Sequence, residues 1–384
     1  MNRITKIMAS MAVALGLSAC SSEPALTLSG LDPQDFVGEK GGKATALYTL
    51  TNANGMEVCI TNFGGRLVSV MVPDRDGKMT DVILGFDNIQ DYMTLPSDFG
   101  ASIGRYANRI AGGTFELDGQ TVVLNQNDGP NCLHGGAEGW QYQVYDVVEA
   151  TDNAISLKRI SPDGDNKFPG NVEAVVKFEL TDDNAIEITY DATTDAPTII
   201  NMTNHTYFNL SGDFNNTIEE SILQVNADFY TPADETYMPT GEVRPVEGTV
   251  FDFRTPKAIG ADFASGDAEI AAAGGGYDHN WCLNTKGNQD EVCATMVDPR
   301  SGIKLEMYTN EPGVQCYTAN FQDGTRPGKG GIMYQKYCAI CLESQKYPDS
   351  PNKYNMPGWE DSNAFVTPEN PYHSYCKYVF SVEE

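Results

Sequence analysis

The sequence predicts an all-β fold, a large antiparallel β-sandwich. Two observations carry this reading: from about residue 43 short β-rich runs alternate with Asp/Asn/Gly turns, and apolar residues at helical spacing are scarce. Tight polar turns between such runs make antiparallel hairpins, because those residues tolerate the backbone angles that reverse a chain. In chain order, residues 58–72 lead through Asp74-Arg75-Asp76-Gly77 into 79–86, and 114–117 and 121–124 flank Asp118-Gly119. Residues 172–180 and 185–190 flank Thr181-Asp182-Asp183-Asn184, and 293–297 and 303–308 flank the turn 298–302. The best helical stretch is 261–273, which Gly266 interrupts and the glycines at 274–276 end. Without regular alternation of strand and helix, a Rossmann-type or α/β-barrel enzyme is disfavoured. No low-complexity linker follows residue 42, so 43–384 reads as one domain.

The first residues read as a processing segment. Arg3 and Lys6 give a basic start, an apolar run follows, and Leu17-Ser18-Ala19-Cys20 closes it with small residues. This predicts a lipoprotein signal over 1–19, lipidation of Cys20 and a tether with a short lead-in over 20–42. The apolar run is too short to span a bilayer. The expected location is an exported lipoprotein on a periplasm-facing membrane, the outer membrane or the cell surface, held only by its acyl chains.

Losing residues 1–19 would remove Arg3, Lys6 and no acid, taking the formal charge from −28 to −30. Such a surface repels nucleic acid and anionic membrane, so nucleic-acid function is excluded. Eight cysteines follow Cys20, at 59, 132, 282, 293, 316, 338, 341 and 376. Cys338 and Cys341 invite a redox or metal reading, but the apolar segment 337–342 reads as a strand whose alternation puts them on opposite faces. The cysteines are therefore expected mainly in the core, as small hydrophobes.

Chemistry has to be sought where rare polar residues gather. The four histidines are His134, His205, His279 and His373. Gly104-Arg105-Tyr106-Ala107-Asn108-Arg109-Ile110 concentrates two arginines in an arginine-poor chain. Arg109 can present several donors to neighbouring hydroxyls, or it can balance carboxylates. His134 precedes a glycine pair and reads either as a hydroxyl ligand or as a structural histidine. In 201–210, strand alternation puts Thr203, His205, Tyr207 and Asn209 on one face, polar and aromatic as a sugar site requires. His205 is the residue there able to deliver a proton near neutral pH. Asp278 can accept from sugar hydroxyls, with His279 pointing away from it. Gln315 and Tyr317 share a face after the turn Pro312-Gly313. Glu343 ends an apolar run, where burial would raise its pKa toward that of a useful base.

At these residues the chain resembles the aldose 1-epimerase (galactose mutarotase) family. The matches are Asn108-Arg109-Ile110, Leu133-His134-Gly135-Gly136, Thr203-Asn204-His205-Thr206-Tyr207-Phe208-Asn209-Leu210, Tyr277-Asp278-His279-Asn280, Glu311-Pro312-Gly313-Val314-Gln315 and Leu342-Glu343-Ser344-Gln345. They keep the family's order and run from about residue 44 to the C-terminus.

The resemblance implies a galactose mutarotase-like supersandwich with its site on a concave sheet face. It implies Glu343 as the base at the anomeric hydroxyl and His205 as the acid at the ring oxygen. Asn108, Arg109, His134, Asp278 and Gln315 would position the sugar. The substrate would be a free monosaccharide of the glucose or galactose type. Opening a hemiacetal transfers protons and no hydride, so no cofactor and no metal are expected. A monomer is the expected state. Rival readings are a non-catalytic carbohydrate-binding protein, a glycan-processing enzyme, a sugar-phosphate epimerase using Arg105, and a zinc site. Hydrolases usually flank the scissile bond with two carboxylates, whereas one carboxylate and a histidine stand out here. No short ligand spacing supports zinc.

Overall fold

The computed structural model describes residues 25–383; the signal segment and Cys20 lie outside the described residues. Two antiparallel sheets dominate. A nine-stranded sheet runs in the order Asp146–Ala150, Ala154–Ser161, Val172–Leu180, Ala185–Thr194, Tyr372–Val382, Ile303–Thr309, Ala294–Val297, Ile222–Val225, Lys257–Ala258. A six-stranded sheet runs Tyr207–Phe208, Ile340–Gln345, Gly313–Tyr317, Asp278–Cys282, Phe229–Thr231, Arg244–Pro245. A four-stranded sheet of Leu47–Thr51, Glu57–Thr61, Arg66–Pro73 and Met79–Asp81 adjoins them.

Period-2 patterning explains how the sheets stack. Val172, Ala174, Val176, Phe178 and Leu180 are buried, while Glu173 and Lys177 between them are exposed. Each large inward side chain contributes roughly 1.5–3 kcal/mol by leaving water. These residues join one core cluster with Phe208, Val314, Cys316, Ile340 and Leu342 of the six-stranded sheet. The Phe208 and Tyr378 rings meet at 5.0 Å, and the Tyr378 hydroxyl donates to the Leu342 carbonyl at 2.9 Å. One face of the six-stranded sheet is thus spent on the core, and its other face is left for the site.

The predicted hairpins at 114–124, 172–190 and 293–308 form as Thr114–Leu117 with Gln120–Val123, Val172–Leu180 with Ala185–Thr194, and Ala294–Val297 with Ile303–Thr309. Two details differ from the sequence reading and one agrees with it. The 58–72 run is two strands, Glu57–Thr61 and Arg66–Pro73, paired with each other. Between them Gly64 has φ +74°, and a Cβ there would lie 2.4 Å from the Gln141 carbonyl oxygen, so the bend requires glycine. The 261–273 stretch is interrupted at Gly266 as expected, with a 3-10 turn, Ile259–Asp262, and a short helix, Ala268–Ala272, on either side. Cys338 lies ahead of the strand Ile340–Gln345, so alternation does not relate it to Cys341, and both pack in one hydrophobic cluster. The eight described cysteines are buried free thiols. Leu31 and Phe36 of the lead-in are buried against the domain. Among the described residues no helix is long and apolar enough to cross a membrane.

Candidate active site

Strand register builds the floor of the site. Across the six-stranded sheet Tyr207 pairs with Cys341, Cys341 with Tyr317, and Tyr317 with Asp278. The next row on the same face is Glu343, Gln315 and Asn280. Residues directly opposite in antiparallel strands point the same way, so the face away from the core collects two carboxylates, two amides, two phenols and a thiol. The strand Thr203–His205 runs beside Ile340–Gln345 and brings His205 to this face.

His205 and Glu343 form the centre. Nε2 of His205 lies 3.5 Å from Oε1 of Glu343, and the two side chains are 5% and 2% exposed. Burial pushes the Glu343 carboxyl well above the usual range, Asp278 and Asp98 push it the same way, and Arg109 opposes them. Burial lowers the His205 imidazole, against the pull of Asp98. Burial thus shifts the two neighbouring groups in opposite directions, and each shift favours that group's uncharged form. Nδ1 of His205 lies 3.4 Å from Sγ of Cys341.

The other predicted residues surround this pair. Gln315 Nε2 donates to Asp278 Oδ1 at 2.7 Å, and an Arg109 NH group lies 3.6 Å from Asp278 Oδ2. Asn108 and His134 lock together through backbone angles favoured by few residues, φ +65° and +50°. The Asn108 backbone N–H donates to His134 Nδ1 at 3.1 Å, which leaves the ring hydrogen on Nε2. Burial keeps His134 far below its ordinary pKa, so it is a neutral donor. The Asn108 side-chain oxygen accepts from the Arg109 backbone, leaving its NH2 as a donor. The rings of His134 and His205 meet edge-on at 5.1 Å.

Buried polar atoms without partners gather here: Glu343 Oε2, Gln315 Oε1, both side-chain polar atoms of Asn280 and both of Gln345. Folded proteins pair nearly all such atoms, so a concentration of them marks where a polyhydroxylated ligand supplies the missing bonds. Tyr207 and Tyr317 add apolar faces beside His205, at ring distances of 5.1 and 6.3 Å.

The sequence reading missed four neighbours. Asp128 accepts from Arg109 Nε at 2.7 Å and holds the guanidinium. Tyr237 stacks on that guanidinium at 4.8 Å. Cys341 touches His205, and Asp98 forms a cluster with His134 and His205. Asp98 and Asp128 sit in turn-rich loops whose composition signals only a turn.

Other polar residues have structural work. Arg105 donates to the carbonyls of Pro169 and Gly170 and to the Ser161 hydroxyl at 2.5 Å, and among the described residues it pairs with no carboxylate. The Asn209 amide holds the Cys338 carbonyl at 2.8 Å instead of facing the site. His279 accepts from the Asp278 backbone at 3.1 Å and packs on Phe251. His373 is exposed and paired with Asp191 at 2.8 Å. A cavity of about 720 Å³ lies on the nine-stranded sheet among Arg75, Lys304 and Glu306, without a histidine in its lining. Smaller cavities of about 430 and 200 Å³ adjoin His134 and Tyr207. His134 and Tyr207, which line these smaller ones, each lie 5.1 Å from the His205 ring, so the two cavities border the buried acid–base pair.

A carboxylate and an imidazole buried within proton-transfer reach, ringed by unpaired hydrogen-bonding atoms on a β-sandwich face, define a carbohydrate-directed acid–base enzyme. Comparison with known proteins gives its family. The aldose 1-epimerase family model matches residues 46–364. The chain is 40% identical over 342 residues to the aldose 1-epimerase of Escherichia coli, covering 89% of this chain and 97% of that one. It is 41% identical over 303 residues to the galactose mutarotase of Homo sapiens, covering 79% and 86%. A galactose 1-epimerase structure from Lactobacillus acidophilus superposes with a TM-score of 0.78 at 30% identity, covering 90% of this chain and 97% of that one. The chain belongs to the aldose 1-epimerase family and is an isomerase of the mutarotase type.

Proposed function

We propose that the protein interconverts the α and β anomers of free aldoses of the glucose and galactose type, with Glu343 as base and His205 as acid. The 3.5 Å approach of His205 Nε2 to Glu343 Oε1 inside a buried polar site supports this reading most strongly. Glu343 takes the proton of the anomeric hydroxyl. The bond from C1 to the ring oxygen breaks, its electron pair goes to that oxygen, and the oxygen takes the proton of His205 Nε2. The product is the open-chain aldehyde, with Glu343 protonated and His205 neutral. Rotation about C1–C2 presents the other carbonyl face, and both transfers reverse. Burial favours the neutral pair, so the open-chain complex is the state this environment stabilises. Polarimetry on fresh α-D-glucose and α-D-galactose tests the function. Exchange faster than the spontaneous rate supports it, and a spontaneous rate with every aldose overturns it.

Because Nε2 trades the proton, Nδ1 keeps its hydrogen throughout and donates to Sγ of Cys341. Burial pushes this thiol far up, so it stays protonated. Cys341→Ala is expected to lower kcat about 3- to 10-fold with KM little changed, the cost of one weak orienting hydrogen bond. Cys341→Ser, which keeps an acceptor, should recover most of the loss. Equal rates in Cys341→Ala and the wild type would remove this role.

We also propose that residues 43–384 act as one catalytic domain, monomeric, exported and tethered through a lipidated Cys20. Cys20→Ala is expected to shift the protein from the membrane fraction to the soluble fraction with kcat unchanged. Retention in the membrane fraction would contradict the anchor.

A further inference from the structure

We infer that Asp98 is a further sugar-binding residue whose carboxylate accepts a hydrogen bond from the exocyclic hydroxymethyl group of a bound hexose. This rests on the aldose reading above. One carboxylate oxygen of Asp98 and one ring nitrogen each of His134 and His205 lie within 4.8 Å of one another. Oδ1 of Asp98 is buried and has no hydrogen-bond partner. A buried acceptor left unpaired is costly and is retained where a ligand completes it.

The loop is built to hold this carboxylate still. Fully buried Arg66 donates to the carbonyls of Ser97 and Phe99, both at 3.0 Å, and Arg326 donates to that of Pro96 at 2.8 Å. The Gly100 backbone N–H donates to the His205 carbonyl at 3.1 Å, tying the loop to the acid itself. Gly100 has φ +66°, and a Cβ there would lie 1.9 Å from the Leu67 carbonyl oxygen, so this approach needs glycine. Asp98 lines both smaller cavities, the one at His134 and the one at Tyr207 and Tyr317.

The three groups also have the closeness of a metal cluster. However, His134 Nδ1 already accepts from Asn108 at 3.1 Å, so its Nε2 carries hydrogen and has no lone pair for an ion. Hydrogen bonding to a ligand is the remaining chemistry. In a pyranose the ring oxygen lies between C1 and C5. Glu343 works on the C1 oxygen and His205 on the ring oxygen. An acceptor clustered with the two imidazoles therefore meets the substituent on C5. In a hexose that is the hydroxymethyl group; in a pentopyranose it is hydrogen.

Pairs of sugars that differ only at this group test the inference: D-glucose against D-xylose, and D-galactose against L-arabinose. Steady-state mutarotation by Asp98→Ala and Asp98→Asn would be measured on all four, with folding checked by circular dichroism. Asp98→Ala is expected to raise KM for both hexoses about tenfold or more and to leave KM for the pentoses within about twofold, as loss of one hydrogen bond to a charged acceptor predicts, while any change in kcat through Glu343 and His205 is shared by all four sugars. Asp98→Asn keeps the shape and should show a smaller shift of the same selectivity, which also covers the case in which the alanine variant does not fold. Equal changes of KM on hexose and pentose, no change of KM, or a loss confined to kcat would each overturn the inference. A wild-type protein inactive on all four sugars would instead overturn the aldose reading.

Discussion

Glu343→Gln is expected to lower kcat for anomer exchange about 10²- to 10⁴-fold while sugar binding persists, the range for removing a positioned general base. The amide keeps the shape of the carboxyl group and its place opposite Gln315, but it cannot take the anomeric proton. Polarimetry gives kcat, and titration of tryptophan fluorescence with sugar gives binding. More than a tenth of the wild-type rate would remove Glu343 from the base role. The same substitution has a stability signature. The folded-state pKa of Glu343 lies well above its ordinary 4.5, so the unfolded chain ionises first as pH rises. The wild type therefore loses stability from pH 4.5 upward until the folded-state pKa is reached, and below 4.5 the penalty is absent. The glutamine variant carries no such penalty. It should melt above the wild type at neutral pH and converge with it near pH 4.

His205→Asn is expected to cost a similar factor in kcat, about 10²- to 10⁴-fold, because without the acid an alkoxide must leave unaided. Its KM should change less than its kcat, since Asp278, Gln315 and Arg109 hold the other flank of the site. The double variant Glu343→Gln/His205→Asn should be scarcely worse than either single one, because two halves of one proton exchange do not contribute independently. A multiplicative loss would mean that the two side chains act in separate steps. The pH dependence has the opposite sign from that of Glu343. Burial lowers His205 from its ordinary 6.5, so the unfolded imidazole binds a proton that the folded one resists. Stability is lost as pH falls below 6.5, and the asparagine variant should lack that component of the slope.

Local signals in the sequence carried the hairpins well. Asp118-Gly119 and Thr181-Asp182-Asp183-Asn184 sit where neighbouring strands turn back, as their backbone preferences require. Gly266 likewise marks the break between two short helical turns. The pairing of strands distant in sequence was not legible. Nothing in the alternation of 203–209 says that it lies beside 340–345, or that Asp278 faces Gln315. For those residues the family motifs supplied the association, and the register supplies the reason: residues 278, 280, 315, 317, 341 and 343 fall on one face of one sheet. The Cys338–Cys341 expectation failed because Tyr337, at φ +63°, keeps the chain irregular until the strand begins at Ile340. Asp98 and Asp128 were invisible because their importance comes from where a loop is pinned, by Arg66 in one case and Arg109 in the other.

A crystal structure of the Glu343→Gln variant with D-galactose tests the central claim most directly. It should show the anomeric oxygen within about 3 Å of the substituted amide at position 343 and the ring oxygen within about 3 Å of His205 Nε2, the reach of a proton transfer. A sugar seated with its anomeric carbon away from both side chains, or bound only in the groove beside Lys304 and Glu306, would contradict it.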